Sequence, residues 1–101
     1  MPELGTIVEK VRSKNAGPFW LTIDIFCGTP DAYRRVAASL GTAQVAEVLG
    51  TPAQLVKRFD IEDLSVVKFS LPRPAIQGTA GDRDMHGAAW APLLAEIVLP
   101  D

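Results

Sequence analysis

Polar residues crowd one short segment of the chain, which reads RSKNAGP from residue 12 to residue 18. Arg12 and Lys14 supply positive charge, Ser13 a hydroxyl and Asn15 an amide, and such groups bind carboxylates and phosphates in proteins. Because glycine and proline interrupt regular structure, the segment is predicted to be a loop braced by the strand that follows it. We therefore expect these four side chains to bind an anionic substrate; the other interpretation is a solvated turn with two surface cations.

A second segment, GDRDMHG at residues 81–87, places Asp82, Asp84 and His86 at alternate positions. Two carboxylates and an imidazole are suited to proton transfer, and His86 is the only histidine. His86 and Asp84 are the predicted catalytic residues. Arg73 is a further predicted substrate-binding residue, expected to border the pocket that the loop at residues 12–17 forms for the anionic substrate. The alternative is that Asp82 or Asp84 caps a helix. The spacing differs from that of helical zinc motifs, so we expect no metal site.

Other catalytic signatures do not occur in the sequence. Cys27 is the single cysteine, which excludes an internal disulfide, and it falls on the apolar side of a predicted strand, where a thiol behaves as a small hydrophobe. The sequence contains no G-x-S-x-G motif and no glycine-rich nucleotide-binding pattern. Whether a cofactor is used is left open.

Turn signals divide the chain into short elements. Leu4 to Val11 is predicted to be an edge strand or a loose helical turn, and Phe19 to Cys27 is the clearest strand. Thr29 and Pro30 begin a helix that ends at Gly41, which we expect to be left-handed. The following elements are a short helix from Thr42 to Gly50, one turn near residues 51–54, a hairpin with arms 56–60 and 64–71, a helix 88–95 and a strand 96–99.

Apart from the first segment, this order is β-α-β-β-α-β. It predicts a single α+β domain over residues 1–101, with a ferredoxin-like fold in which the helices pack on one face of an antiparallel sheet.

Composition is that of an ordinary globular domain, with 48% apolar and 22% charged residues. The net charge is −2 and the basic residues are scattered along the chain, so we expect no nucleic-acid partner. The N-terminal residues do not read as a secretory signal, and no run approaches the roughly 20 apolar residues of a membrane span. A cytoplasmic protein without a membrane partner is expected.

The face of the sheet opposite the helices is predicted to be a partner interface. Alternation along the strands places Trp20, Asp24 and Phe26 on this face, together with Lys68 from a neighbouring strand. Large aromatic side chains are enriched at protein interfaces. Asp24 and Lys68 are expected to lie side by side. The alternative is a modest cross-strand contact, with the N-terminal segment covering Trp20.

Three stretches carry a resemblance to a known family: RSKNAGPFWLTIDIF, SVVKFSLPRP and GDRDMHGAAWAPLL. They resemble the small AtuA-associated proteins of bacteria, a family of unknown function, and the resemblance runs the length of the chain. Those proteins are encoded beside larger acyclic terpene utilisation (AtuA-type) proteins and are similar to their C-terminal ferredoxin-fold domain. There the loop reads R-S-G-D-K-G-N; here Arg12 and Ser13 match its start, while Lys14, Asn15 and Ala16 depart from its core.

The resemblance implies a larger AtuA-type partner and a role in catabolism of organic acids or acyl-CoA thioesters, as a lyase or hydratase. We therefore expect a small accessory subunit of a heteromeric enzyme. A homo-oligomeric module that binds a small acid without catalysis is the alternative, and a purely structural adaptor is a third. Whether the chain is itself catalytic is left open.

Overall fold

The computed structural model describes residues 2–17, 19–72 and 90–99. Four strands form one sheet, with helices before, between and after them. The strands are β1 (Lys10–Asn15), β2 (Trp20–Phe26), β3 (Lys57–Ile61) and β4 (Val66–Pro72). The α-helices are α1 (Leu4–Ile7), α2 (Pro30–Ser39), α3 (Thr42–Leu49) and α4 (Trp90–Ala95), and single 3₁₀ turns lie at Ala53–Leu55 and Glu62–Leu64.

The sheet is entirely antiparallel and its strand order is β1-β2-β4-β3. Strand β3 follows β2 along the chain but does not pair with it, because β4 lies between them. The α2–α3 connection therefore crosses over β4, which is a split β-α-β arrangement. The predicted α+β class and the antiparallel sheet are both confirmed.

The N-terminal edge of the sheet differs from the prediction. Residues 96–99 were expected to form the last strand, but in the described chain they contribute a single bridge between Val98 and Glu3. Strand β1 instead pairs with β2 along its whole length, from Lys10 opposite Phe26 to Asn15 opposite Leu21. The predicted loop was therefore wrong over residues 12–15, because these residues belong to β1 and the chain turns only after Asn15.

The helix between β2 and β3 begins as predicted. The Thr29 hydroxyl accepts a hydrogen bond of 3.1 Å from the Ala32 backbone N–H, and Pro30 occupies the first helical position. Gly41 does not end α2 in a left-handed conformation; its φ is −87°, and it precedes α3 as the N-cap. Gly50, with φ of 68°, does supply the left-handed C-cap of α3. No helix in the described ranges is long and apolar enough to cross a bilayer.

All the helices contribute to one hydrophobic core on one face of the sheet. Alternation along the two central strands directs every second residue toward this core, because successive strand side chains point to opposite faces. The buried strand residues are Leu21, Ile23 and Ile25 from β2 and Val67, Phe69 and Leu71 from β4. We call the other side of the sheet the open face; its strand residues are Lys10, Arg12, Lys14, Trp20, Thr22, Asp24, Phe26, Lys57, Phe59, Ile61, Val66, Lys68, Ser70 and Pro72.

Candidate functional site

The four predicted substrate-binding residues of β1 are divided between the two faces of the sheet. Arg12 and Lys14 are exposed on the open face, opposite Asp24 and Thr22 respectively. Ser13 and Asn15 alternate with them and therefore lie on the core side. The four residues were predicted to act together because a loop was expected there, whereas successive side chains of a strand point to opposite faces of the sheet.

Ser13 has a structural contact that the sequence did not predict. Only 5% of its surface is exposed, and its hydroxyl accepts a hydrogen bond of 3.1 Å from the backbone N–H of Ala91 in α4. The first N–H groups of a helix have no partner within the helix. Ser13 therefore connects β1 to the start of α4, 78 residues further along the chain.

The predicted interface residues all lie on the open face. Asp24 and Lys68 are direct register partners on the two central strands, and Arg12 is opposite Asp24 on its other side. This register places Asp24 between two cations, and Asp24 and Lys68 lie side by side as expected. Within the described part of the chain the three side chains form no ion pair.

The open face also carries exposed aromatic rings. Trp20 is 41% exposed and Phe59 is 49% exposed. The Lys57 ammonium lies 6.0 Å from the centre of the Trp20 ring, and the Lys10 ammonium lies 5.3 Å from that of Phe26. Phe59 was not predicted as a site residue, although alternation along KRFDI would place it with Lys57.

The N-terminal segment does not cover Trp20. Leu4 in α1 is fully buried in the core on the other side of the sheet, and its backbone N–H donates to the Ile97 carbonyl at 2.7 Å. Of the two interpretations of this face, the one in which the first segment shields Trp20 was wrong. No described helix packs against the open face.

Positive charge is concentrated on the open face although the whole chain carries a net charge of −2. Asp24 is the one acidic residue among the strand residues of this face. Strand register brings three cations of β1 together with one from β3 and one from β4, which is half of the ten Lys and Arg residues: Lys10, Arg12, Lys14, Lys57 and Lys68. The face is thus cationic and partly aromatic, a surface suited to anionic groups.

A shallow cavity of about 590 Å³ lies at the β3 edge of this face. Phe59, Ile61 and Lys68 line it from the open face, and Arg58 and Asp60 line it from the edge. Arg58 has a structural role, because its guanidinium donates hydrogen bonds to the carbonyl oxygens of Ala37 and Leu40 at 2.9 and 2.5 Å. The cavity therefore offers an aromatic wall and one lysine to a ligand or a partner side chain.

One buried polar group at the centre of the open face has no hydrogen-bond partner in the part of the chain that the structure describes. This group is the hydroxyl of Thr22, a residue that is only 6% exposed. Buried polar groups are almost always paired, since an unpaired hydroxyl loses its hydrogen bonds to water and gains none in return. This unpaired hydroxyl was not predicted, because threonine is common in strands.

Cys27 is 3% exposed, and its thiol lies 3.7 Å from the Ile25 carbonyl oxygen. Burial raises the pKa of the Cys27 thiol above its ordinary value. A protonated, enclosed thiol is a poor nucleophile, in agreement with the structural role predicted for it.

The remaining predicted site residues, Arg73, Asp84 and His86, lie outside the described residues. Their binding and catalytic roles stay predictions.

Comparison with known proteins gives a family but no characterised relative. No curated protein matches the chain, and no solved structure matches it. A family model described as a domain of unknown function, DUF4387, matches residues 4–97 and so spans all four strands and the open face. The chain therefore belongs to the DUF4387 family.

Proposed function

We propose that this chain is the small accessory subunit of a heteromeric AtuA-type enzyme that acts on organic acids or acyl-CoA thioesters. The observation that carries the proposal is the open face, where exposed Trp20 and Phe59 lie among five cations. Aromatic side chains are enriched at protein interfaces, and the five cations are complementary to an acidic partner surface. The resemblance to AtuA-associated proteins supports an AtuA-type protein as the partner.

In this arrangement the open face docks on the larger subunit and the pocket forms at the junction. Arg12 and Lys14 would neutralise the charge of a carboxylate or thioester substrate, and Arg73 would border the same pocket. His86 and Asp84 are proposed to move a proton. Ser13 and Asn15 have no direct part in this proposal, since β1 directs them to the core side.

The docking is tested by producing the chain together with the AtuA-type protein encoded beside it and measuring complex formation by size-exclusion chromatography. Wild-type chain should co-elute with the larger protein, and the double variant Arg12→Glu/Phe59→Ser should not. Arg34→Glu is the matched control, because Arg34 is an exposed cation on α2, away from the open face, whose ion pair with Asp31 is at the surface.

Separate elution of the wild-type proteins, or a complex that tolerates the double variant, would rule out this docking mode. A wild-type chain that elutes alone as a dimer, and becomes monomeric with Phe59→Ser, would favour the homo-oligomeric acid-binding module instead.

The chemical roles need kinetics on the reconstituted complex. Lys14→Ala should raise KM for an anionic substrate about tenfold, since it removes one charge-assisted contact. His86→Ala should lower kcat by roughly a hundredfold, the usual scale of general acid–base catalysis. Unchanged kinetics in both variants would leave the chain a structural adaptor.

A further inference from the structure

The unpartnered Thr22 hydroxyl lies in a row of polar residues that crosses the open face. Register places Lys14 of β1 and Ser70 of β4 directly opposite Thr22, and places Lys57 of β3 opposite Ser70. We call these four residues the Thr22 row. Two hydroxyls thus occupy its centre, on adjacent strands, and a lysine stands at each end.

The two lysines lie on opposite sides of the two hydroxyls. The Lys57 ammonium lies 6.0 Å from the centre of the Trp20 ring, so the side chains of Lys57 on β3 and Trp20 on β2 approach each other over β4. Lys14 is exposed on β1, the strand on the opposite side of Thr22. Register therefore places a lysine on either side of a nine-tenths-buried hydroxyl that has no hydrogen-bond partner among the described residues.

The chemistry of this row matches a carboxylate. The Thr22 Oγ1 atom is enclosed in the free chain, so binding requires the Thr22 side chain to rotate toward the ligand. Side chains directly opposite each other on antiparallel strands have Cβ atoms about 5 Å apart, so the Thr22 and Ser70 hydroxyls then each donate to one oxygen of a planar carboxylate. The lysine ammonium groups at the two ends of the row donate charge-assisted hydrogen bonds to the carboxylate, and such bonds are stronger than those between neutral groups. The Asp24 carboxylate lies in the next row and repels an anion. Arg12 and Lys68 are the register partners of Asp24 on either side, and their positive charges offset this repulsion.

Beside the row the surface is apolar. Trp20 precedes Thr22 by one step along this face, it is 41% exposed, and Pro72 is its register partner. A ligand whose carboxylate occupies the row would place its next few carbons against the indole ring. This favours a monocarboxylate with an apolar tail over a small dianion.

We propose that the Thr22 row is a binding site for the carboxylate of an organic acid whose apolar tail packs on Trp20. The idea that this acid is a substrate rests on the proposed function. Binding of the acid by the row is independent of it, because all four residues of the row and Trp20 belong to this chain.

The test uses the isolated chain and hexanoate, with hexanamide as the neutral control of the same shape. Two-dimensional NMR should show hexanoate shifting the backbone amide signals of Lys14, Thr22 and Ser70, while hexanamide leaves them in place. Thr22→Val, which replaces the hydroxyl by a methyl group, should weaken hexanoate binding about tenfold or more. Val is isosteric with Thr and the lost hydroxyl is unpaired, so this variant should fold.

Equal shifts from hexanamide, unaltered affinity in Thr22→Val, or no shift at tens of millimolar hexanoate would each overturn the proposal. Lys57→Gln is a second variant and should weaken hexanoate binding, whereas Arg34→Gln on α2 should not. If hexanoate binds the isolated chain and no AtuA-type complex forms, the site stands and only the subunit proposal fails.

A carboxylate can also come from an Asp or Glu of a partner. Complex formation that Lys57→Gln and Thr22→Val abolish, with no hexanoate binding to the isolated chain, would assign the row to a partner side chain and overturn the small-acid site.

Discussion

Ser13 and Arg12 are neighbours in the chain but act in different parts of the molecule. The Ser13 hydroxyl lies in the core side of β1, hydrogen-bonded to the backbone of α4, whereas the Arg12 guanidinium is on the open face. Their chemical types alone suggested one binding site. The difference arises from the two-residue repeat of an extended chain, which no single side chain reveals.

Ser13→Ala should destabilise the fold by about 1–2 kcal/mol, because the buried Ala91 N–H would lose its acceptor. Urea denaturation followed by circular dichroism measures the change. Lys14→Ala, an exposed neighbour on the same strand, should alter the free energy of unfolding by less than about 0.5 kcal/mol. Equal effects of the two substitutions would argue against the Ser13 contact.

Arg58→Met should cost about 1–3 kcal/mol of stability. Methionine lacks the guanidinium, whose carbon lies 5.9 Å from the centre of the Phe69 ring, and it leaves the Ala37 and Leu40 carbonyls without their donor. Thermal unfolding measures the change, and Arg34→Met, which removes an exposed ion pair with Asp31, is the control. A loss no larger than that of the control would contradict the role given to Arg58.

At the scale of elements, the first strand of the sheet has the greatest consequence. Lys10–Asn15 occupies the edge beside β2, whereas residues 96–99, predicted as the last strand, contribute a single bridge among the described residues. An edge strand needs only one partner, so a polar sequence with few β-branched residues is sufficient to form it. This strand brings Arg12 and Lys14 onto the same face as Trp20, and without it the open face would have three cations fewer.

The boundary between α3 and the following turn depends on Gly50. Its φ of 68° is left-handed, and nothing lies within 4 Å of a Cβ built there, so the cost of a side chain is conformational rather than steric. Gly50→Ala should destabilise the domain by about 1 kcal/mol. Gly50→Asn should cost roughly half as much, because asparagine tolerates this region.

Chemical denaturation of the two variants provides the comparison. Equal stabilities for the Ala and Asn variants would show that backbone conformation at Gly50 does not determine the effect.

At the scale of the whole molecule, burying Cys27 links stability to alkaline pH. Burial raises the pKa of the thiol above its ordinary value of 9.0, so the folded protein holds this proton more tightly than the unfolded chain. The contribution of Cys27 is therefore complete below pH 9.0 and is lost as the pH rises toward the raised, folded pKa. Above the ordinary value the loss should not exceed about 1.4 kcal/mol per pH unit.

Urea midpoints between pH 7.5 and 10 measure this dependence. The wild type should lose stability more steeply than Cys27→Ala over the same interval. Parallel curves for the two proteins would show that the thiol does not titrate differently in the folded and unfolded states.

Several elements were determined by local sequence. Thr29 and Pro30 set the start of α2, the alternating run from residue 20 to 26 formed the central strand, and Gly50 ended α3. These features depend on neighbouring residues and on backbone conformation within one turn. The sequence therefore identified them, together with the α+β class and the face that carries Trp20, Asp24 and Phe26.

Tertiary structure alone decided which residues share the candidate site. Lys14 and Lys57 are separated by more than forty positions in the sequence, and only strand register places them at the two ends of the row through Thr22 and Ser70. Likewise, it is the surroundings of the Thr22 hydroxyl that leave it without a hydrogen-bond partner among the described residues. Register and burial depend on how distant strands pair, because hydrogen bonds between strands join residues regardless of their separation along the chain.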